Sequence, residues 1–175
     1  MSGCPFRCEG CIVKELQNEN VGKEYKDFYK EIEPFLENID GITLSGGEPL
    51  FQANELLNFL NKLPKNLDKM LFTGYYKNEL DEVQLKCFNK FDLVVEGRFE
   101  REKQGNFLYR GSSNQIFSSP TGKYLDILEK LYILPSAGIE VVVKDNEFVF
   151  YGIPTNSNEI EVLKKMLNFK GVLVK

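Results

Sequence analysis

Residues 42–49 read Ile-Thr-Leu-Ser-Gly-Gly-Glu-Pro, a short apolar run cut off by two glycines and a proline. Such a run, bounded by turn residues, suits a buried strand that ends where the glycines begin. The same figure returns twice, as Met70-Leu71-Phe72 running into Thr73-Gly74 and as Leu93-Val94-Val95 running into Glu96-Gly97. Around these runs lie stripes at helical spacing: Tyr25, Phe28, Tyr29, Ile32, Phe35 and Leu36, then Leu56, Leu57, Phe59, Leu60 and Leu63, then Leu80, Val83, Leu85 and Phe88. Helix and strand alternating in this way predict an α/β fold with a parallel sheet and crossover helices. Ligands of such sheets bind at the carboxyl ends of the strands. Ser45-Gly46-Gly47-Glu48, Thr73-Gly74 and Glu96-Gly97-Arg98 are therefore expected to line one face.

Further along, residues 98–114 are charged and irregular, too polar for a core and long for a plain connection, which suggests a functional loop. Ile139–Val143 and Phe148–Tyr151 flank Lys144-Asp145-Asn146-Glu147, the pattern of a hairpin on a polar turn. A helix around Glu159–Leu167 and a terminal Val172-Leu173-Val174 run close the chain. The 175 residues fit one domain over 1–175.

Charge and composition narrow the chemistry. A formal net charge of -4 denies a nucleic-acid partner the basic surface that phosphate binding requires. No stretch approaches the roughly 20 apolar residues of a membrane span, and no signal segment precedes the first cysteine, so no membrane partner and a cytoplasmic location are expected. The sequence has 0 histidines, which excludes histidine-zinc hydrolases and triads built on imidazole.

Three of the 4 cysteines fall in Cys4-Pro5-Phe6-Arg7-Cys8-Glu9-Gly10-Cys11, while Cys87 stands alone in an apolar helical stretch and reads as a core residue. Clustered thiols of this kind suggest a metal rather than a disulfide scaffold. A C-x3-C-x2-C loop is tight enough to wrap one 4Fe-4S cubane. Such clusters usually take four cysteines, so three leave one iron open. Zinc is a competing reading, with Cys87 or a carboxylate as its fourth ligand. A ferredoxin-like carrier is another, although it would use a full cysteine set.

The cysteine loop, followed at the end of the next strand by Gly46-Gly47-Glu48-Pro49, resembles the radical S-adenosylmethionine (SAM) superfamily. Gly-Gly-Glu-Pro alone is also an ordinary turn before a helix. More narrowly, Ser2–Pro5 with Arg7-Cys8 and Gly10-Cys11, Leu44–Pro49, Phe72–Tyr75, Asp92–Phe99 and Tyr109–Gln115 are similar to the activating proteins of anaerobic ribonucleotide reductases. The resemblance covers a motif-bearing core over 1–115, with 116–175 as a C-terminal part that holds the hairpin. It implies a partial, open parallel β/α barrel of the radical SAM type, with a C-terminal β-hairpin and helix. Members place a barrel strand ahead of the cysteine loop. Here three residues precede Cys4, so the first barrel strand would be missing and Ile42–Leu44 would become a sheet edge.

The resemblance also implies roles. Cys4, Cys8 and Cys11 would hold the 4Fe-4S cluster, and S-adenosyl-L-methionine would bind its open iron, with no catalytic residue beyond the cluster. Ser45 and the backbone of Gly46, Gly47 and Glu48 would meet the cofactor amino group, glycine allowing the close approach; Glu48 either joins them or braces the loop. Glu96 and Arg98 match the acidic and basic pair that contacts ribose and carboxylate, or else form a surface ion pair. Thr73, Ser112 and Asn114 would add polar contacts, although the segment around the latter two also reads as a polar loop before a strand. The implied activity is reductive cleavage of SAM and abstraction of hydrogen from a glycine of a glycyl radical enzyme, such as the large subunit of an anaerobic ribonucleotide reductase. A flavodoxin or ferredoxin-type protein would supply the electron. Modification of another peptide or a small molecule, or a non-catalytic metal-cluster module, remain as alternatives.

Overall fold

The computed structural model describes residues 1–18, 24–135, 140–144 and 147–151, together with 161 and 165. Strands β1 (Gly41–Leu44), β2 (Asp68–Thr73), β3 (Leu93–Glu96) and β4 (Ile116–Ser118) form one open sheet in that order. The first three are parallel, with Gly41 opposite Asp68 and Met70 opposite Leu93. Helix α2 (Ala53–Leu60) carries the chain from β1 to β2, and α3 (Glu82–Phe88) from β2 to β3, as the stripes predict. The first stripe divides: α1 (Tyr25–Ile32) gives way to a 3-10 turn over Glu33–Asn38, where Pro34 has no N–H to donate to the helical ladder.

β4 departs from the all-parallel expectation by running antiparallel to β3, with Val95 opposite Phe117. A parallel neighbour needs a crossover that returns the chain to the far end of the sheet, usually a helix. The stretch 97–115 holds only a 3-10 turn at Arg101–Lys103, folds back at the carboxyl end of β3, and so delivers β4 in the opposite sense.

β3 is buried on both faces, as a central strand requires. Side chains alternate along it: Val94 enters one cluster with Leu71, Leu56, Phe59 and Phe88 beneath the helices, while Leu93 and Val95 enter a second with Phe117 and Leu131. Leu131 comes from α4 (Leu128–Ile133). Leu50, Leu56 and Leu71 are fully buried, each worth about 1.5–3 kcal/mol of burial. The start of α3 is fixed by Asp81, whose carboxylate accepts from the Val83 and Gln84 N–H groups at 2.8 Å, while Gln84 accepts the Asp81 N–H in return.

β5 (Glu140–Lys144) pairs antiparallel with β6 (Glu147–Tyr151), the hairpin read from sequence. The 172–174 run lies outside the described residues, as does the expected helix at 159–167 apart from 161 and 165, which are helical. Among the described residues no helix is long and apolar enough to cross a membrane.

Candidate metal and cofactor site

The cysteine loop turns through two left-handed positions, Arg7 with φ 47 and Gly10 with φ 79, and closes on a Cys11 N–H to Cys8 carbonyl bond of 3.3 Å. Its three thiols are free and half-buried. Burial and the neighbouring Cys4 and Cys11 push the Cys8 thiol up, while an N–H from Phe99 pulls it down. Among the described residues no three Cys, Asp or Glu side chains converge on a site for one metal ion. A mononuclear zinc needs that convergence, whereas a cubane gives each thiolate its own iron. The donor set therefore fits an iron-sulfur cluster better than zinc. Cys87 is no fourth ligand: it is fully buried in the helix-side core, and desolvation pushes its thiol up to about 12.

The loop rests on the carboxyl ends of β2 and β3. Phe6 packs so closely on Gly74 that a Cβ there would lie 2.6 Å from the ring, and it meets Tyr75 edge-on at 4.6 Å. The Arg98 guanidinium stacks over the other side of Phe6 at 4.3 Å, held in turn by Glu79 at 2.9 Å. Next to the cysteines, Arg101 bonds Glu9 at 3.3 Å.

Ser45–Glu48 is met from the other side by residues 1–3. The Met1 ammonium donates to the Ser45 carbonyl at 3.0 Å, Gly47 N–H to the Met1 carbonyl at 2.7 Å, and Glu48 N–H to the Gly3 carbonyl at 2.7 Å. These bonds have the sense of a parallel ladder. A Cβ on Gly46 would collide with the Met1 backbone and one on Gly47 with the Gly3 carbonyl. The close approach that requires these glycines in this structure is thus made by the chain itself.

Glu48 is turned inward and is 1% exposed. Its Oε1 accepts from Leu50 N–H at 2.9 Å and from the Thr73 hydroxyl at 2.8 Å, and its Oε2 from Gly74 N–H at 2.7 Å. Burial raises its pKa above the ordinary carboxylate range, opposed by these three donors. Thr73 is therefore spent on Glu48, and the pair ties the β1 end to the β2 end.

Glu96 and Arg98 do not bond each other. The buried Glu96 accepts the Lys77 N–H at 2.8 Å, whereas Arg98 turns to Glu79 and Phe6. Gly97, with φ 107, breaks the extended backbone between them and they go to different neighbours, which their spacing alone does not reveal. Ser112 is fully buried and its Oγ accepts from Glu100 N–H at 3.1 Å. Asn114 Nδ2 donates to the Arg98 carbonyl at 2.8 Å and to the Tyr76 hydroxyl at 3.3 Å, while its Oδ1 is buried with no partner among the described residues. The residues named from sequence as cofactor contacts thus lie about the strand ends, most of them engaged with neighbouring groups of the protein. Phe6, Tyr76, Glu79 and Gln115 belong to the same assembly without having been singled out. Phe6 carried one signal, its place between two cysteines, and Gln115 another, as the end of the Tyr109–Gln115 stretch; Tyr76 and Glu79 carried none.

Residues 1–118 match the family described as a 4Fe-4S single cluster domain. The chain is similar to the anaerobic ribonucleoside-triphosphate reductase-activating protein of Enterobacteria phage T4, at 32% identity over 130 residues, 69% of this chain and 81% of that protein. It is likewise 32% identical over 127 residues to the protein of that name from Salmonella typhi, and 31% over 130 residues to that from Escherichia coli, each match spanning 66% of this chain and 82% of the relative. No solved structure matches the chain.

Proposed function

Because the chain belongs to the family of anaerobic ribonucleoside-triphosphate reductase-activating proteins, we propose that it is a radical SAM activase whose glycyl radical partner is an anaerobic ribonucleotide reductase or a close equivalent. On this reading the parallel strands and their helices are part of an open radical SAM barrel, and the protein works in the cytoplasm with a flavodoxin or ferredoxin-type reductant. A 4Fe-4S cluster with one iron free of protein ligands supplies, when bound, the electron that cleaves a sulfonium.

The observation that carries the reading is that Cys4, Cys8 and Cys11 share one loop, seated against the strand ends through Phe6 and Gly74. The three thiolates would hold the cluster beside the carboxyl ends of β1, β2 and β3, where parallel α/β proteins bind ligands. There the buried Oδ1 of Asn114 is an acceptor in want of a donor, a role that a cofactor hydroxyl or amino group fills. Arg98 supplies positive charge beside the cysteine loop for a carboxylate, with Glu79 holding it in place. The buried Glu48–Thr73–Gly74 junction keeps the strand ends rigid, so that loop and cofactor meet in one geometry.

The test is chemical. Protein reconstituted without oxygen should carry about four irons, convert SAM to 5'-deoxyadenosine when reduced, and lose both properties in Cys8→Ala. Failure to cleave SAM under strong reduction, with the cluster loaded, rejects the activase reading.

A further inference from the structure

The segment 110–115 packs against Gly97–Phe99, which in turn bear on the cysteine loop. Arg110 is buried, yet among the described residues it forms no ion pair. Its guanidinium is instead enclosed by the rings of Phe107, Phe117 and Tyr132 at 4.8, 5.5 and 4.6 Å, and it donates to the Ser113 carbonyl at 3.3 Å and the Gln115 carbonyl at 3.1 Å. A buried cation so placed fixes the backbone of its own loop.

Gln115 then uses the two ends of its amide differently. Oε1 accepts from Gly111 N–H at 2.7 Å and Ser112 N–H at 3.2 Å, inside the loop. Nε2 donates outward, to the Gly97 carbonyl at 2.8 Å. Asn114 Nδ2 takes the next carbonyl, that of Arg98, at 2.8 Å. Gly97 is already held from the β2 end, its N–H bonded to the Thr73 and Tyr75 carbonyls at 3.0 and 3.2 Å.

What is held there bears directly on the cysteine loop. Arg98 stacks on Phe6 at 4.3 Å, and the Phe99 ring lies against Gly10, 3.2 Å from where a Cβ would stand. Groups that hold ligating residues in place are among those by which a protein tunes a metal site. We propose that Gln115 is a positioning residue for the cysteine loop, fixing Gly97–Phe99, against which Phe6 and Gly10 of that loop pack. The assignment rests on the reading of Cys4, Cys8 and Cys11 as cluster ligands.

Gln115→Glu tests it with almost no change of shape. Glutamate keeps an oxygen for Gly111 and Ser112 but sets its other oxygen against the Gly97 carbonyl, so only the outward bond is lost. Three quantities are read beside wild type: the melting midpoint of the metal-free protein, the iron retained after anaerobic reconstitution and desalting against a chelator, and the g-values of the reduced cluster by electron paramagnetic resonance. The expected result is a midpoint within roughly 4 °C of wild type, iron retention weakened about ten-fold, and shifted g-values. Unchanged retention and unchanged g-values overturn the assignment. If Gln115→Glu melts too low to reconstitute, Asn114→Asp, which removes the donor to Arg98, carries the same test. Failure of both variants to fold also overturns it, by making the contacts structural only. Wild type that binds iron while the variants match it refutes the positioning role alone; wild type that binds no iron removes the cluster reading and this one together.

Discussion

Replacing Glu48 by glutamine asks whether the shape of the strand-end junction depends on a buried charge or only on a buried side chain. The carboxylate is 1% exposed and takes three donors, two on Oε1 and one on Oε2. Glutamine can leave its oxygen with Leu50 N–H and the Thr73 hydroxyl, but its amide NH2 then faces the Gly74 N–H, donor against donor, across a gap that was 2.7 Å. Turning the amide over is worse, since it opposes two donors. Losing a hydrogen bond to a charged acceptor costs about 1.5–3 kcal/mol, and relief of the buried charge offsets part of that, leaving a net loss of about 2 kcal/mol. In a chain of this size that lowers the melting midpoint by roughly 4–8 °C. Thr73→Val, which removes one donor and keeps the volume, should cost only about 1 kcal/mol. Thermal and urea unfolding of the metal-free proteins measure both. A Gln variant within about 0.5 kcal/mol of wild type, the range of an ordinary surface change, would refute the bracing role.

Three further outcomes are expected. In native metal-free protein at pH 8, iodoacetamide should label Cys4, Cys8 and Cys11 but spare Cys87, whose burial holds its thiol at about 12; mass spectrometry before and after denaturation counts the labels. Asp68 is held below the ordinary aspartate range by hydrogen bonds from Lys123 and Tyr124. Its contribution is therefore present above the unfolded-chain pKa and is lost as pH falls through the lower folded value. Asp68→Asn should accordingly cost under about 1 kcal/mol near neutrality, with the difference from wild type vanishing in acid. Urea curves that show a pH-independent difference contradict this. Asp81→Ala removes the cap of α3 and should lower stability by about 0.5–2 kcal/mol without changing iron content.

Much of the architecture was legible because it is written in local periodicity. Each of the three apolar runs ending at Gly46, Gly74 and Gly97 became a parallel strand, and the stripes at Leu56–Leu60 and Val83–Phe88 became the helices between them. The direction of β4 was not legible, since Ile116–Ser118 reads the same whichever way it pairs, and only the missing crossover helix decides it. The cysteine triad suggests a metal-binding loop from its spacing alone. Which polar group each strand-end residue takes was not: Glu96 and Arg98 look like a pair in sequence and choose Lys77 and Glu79 in space. Gln115 was legible only as the end of the Tyr109–Gln115 stretch; its bond to the Gly97 carbonyl is one that no side-chain pattern records.

Three thiolates from one loop, leaving an iron for a sulfonium cofactor at the ends of β1, β2 and β3, are the centre of the account. Electron paramagnetic resonance of the dithionite-reduced, anaerobically reconstituted chain, recorded before and after addition of SAM, addresses that directly. The account predicts a 4Fe-4S signal whose g-values change when the cofactor is added and which is absent from Cys8→Ala. A cluster signal indifferent to the cofactor, or protein that emerges colourless and without iron, contradicts it.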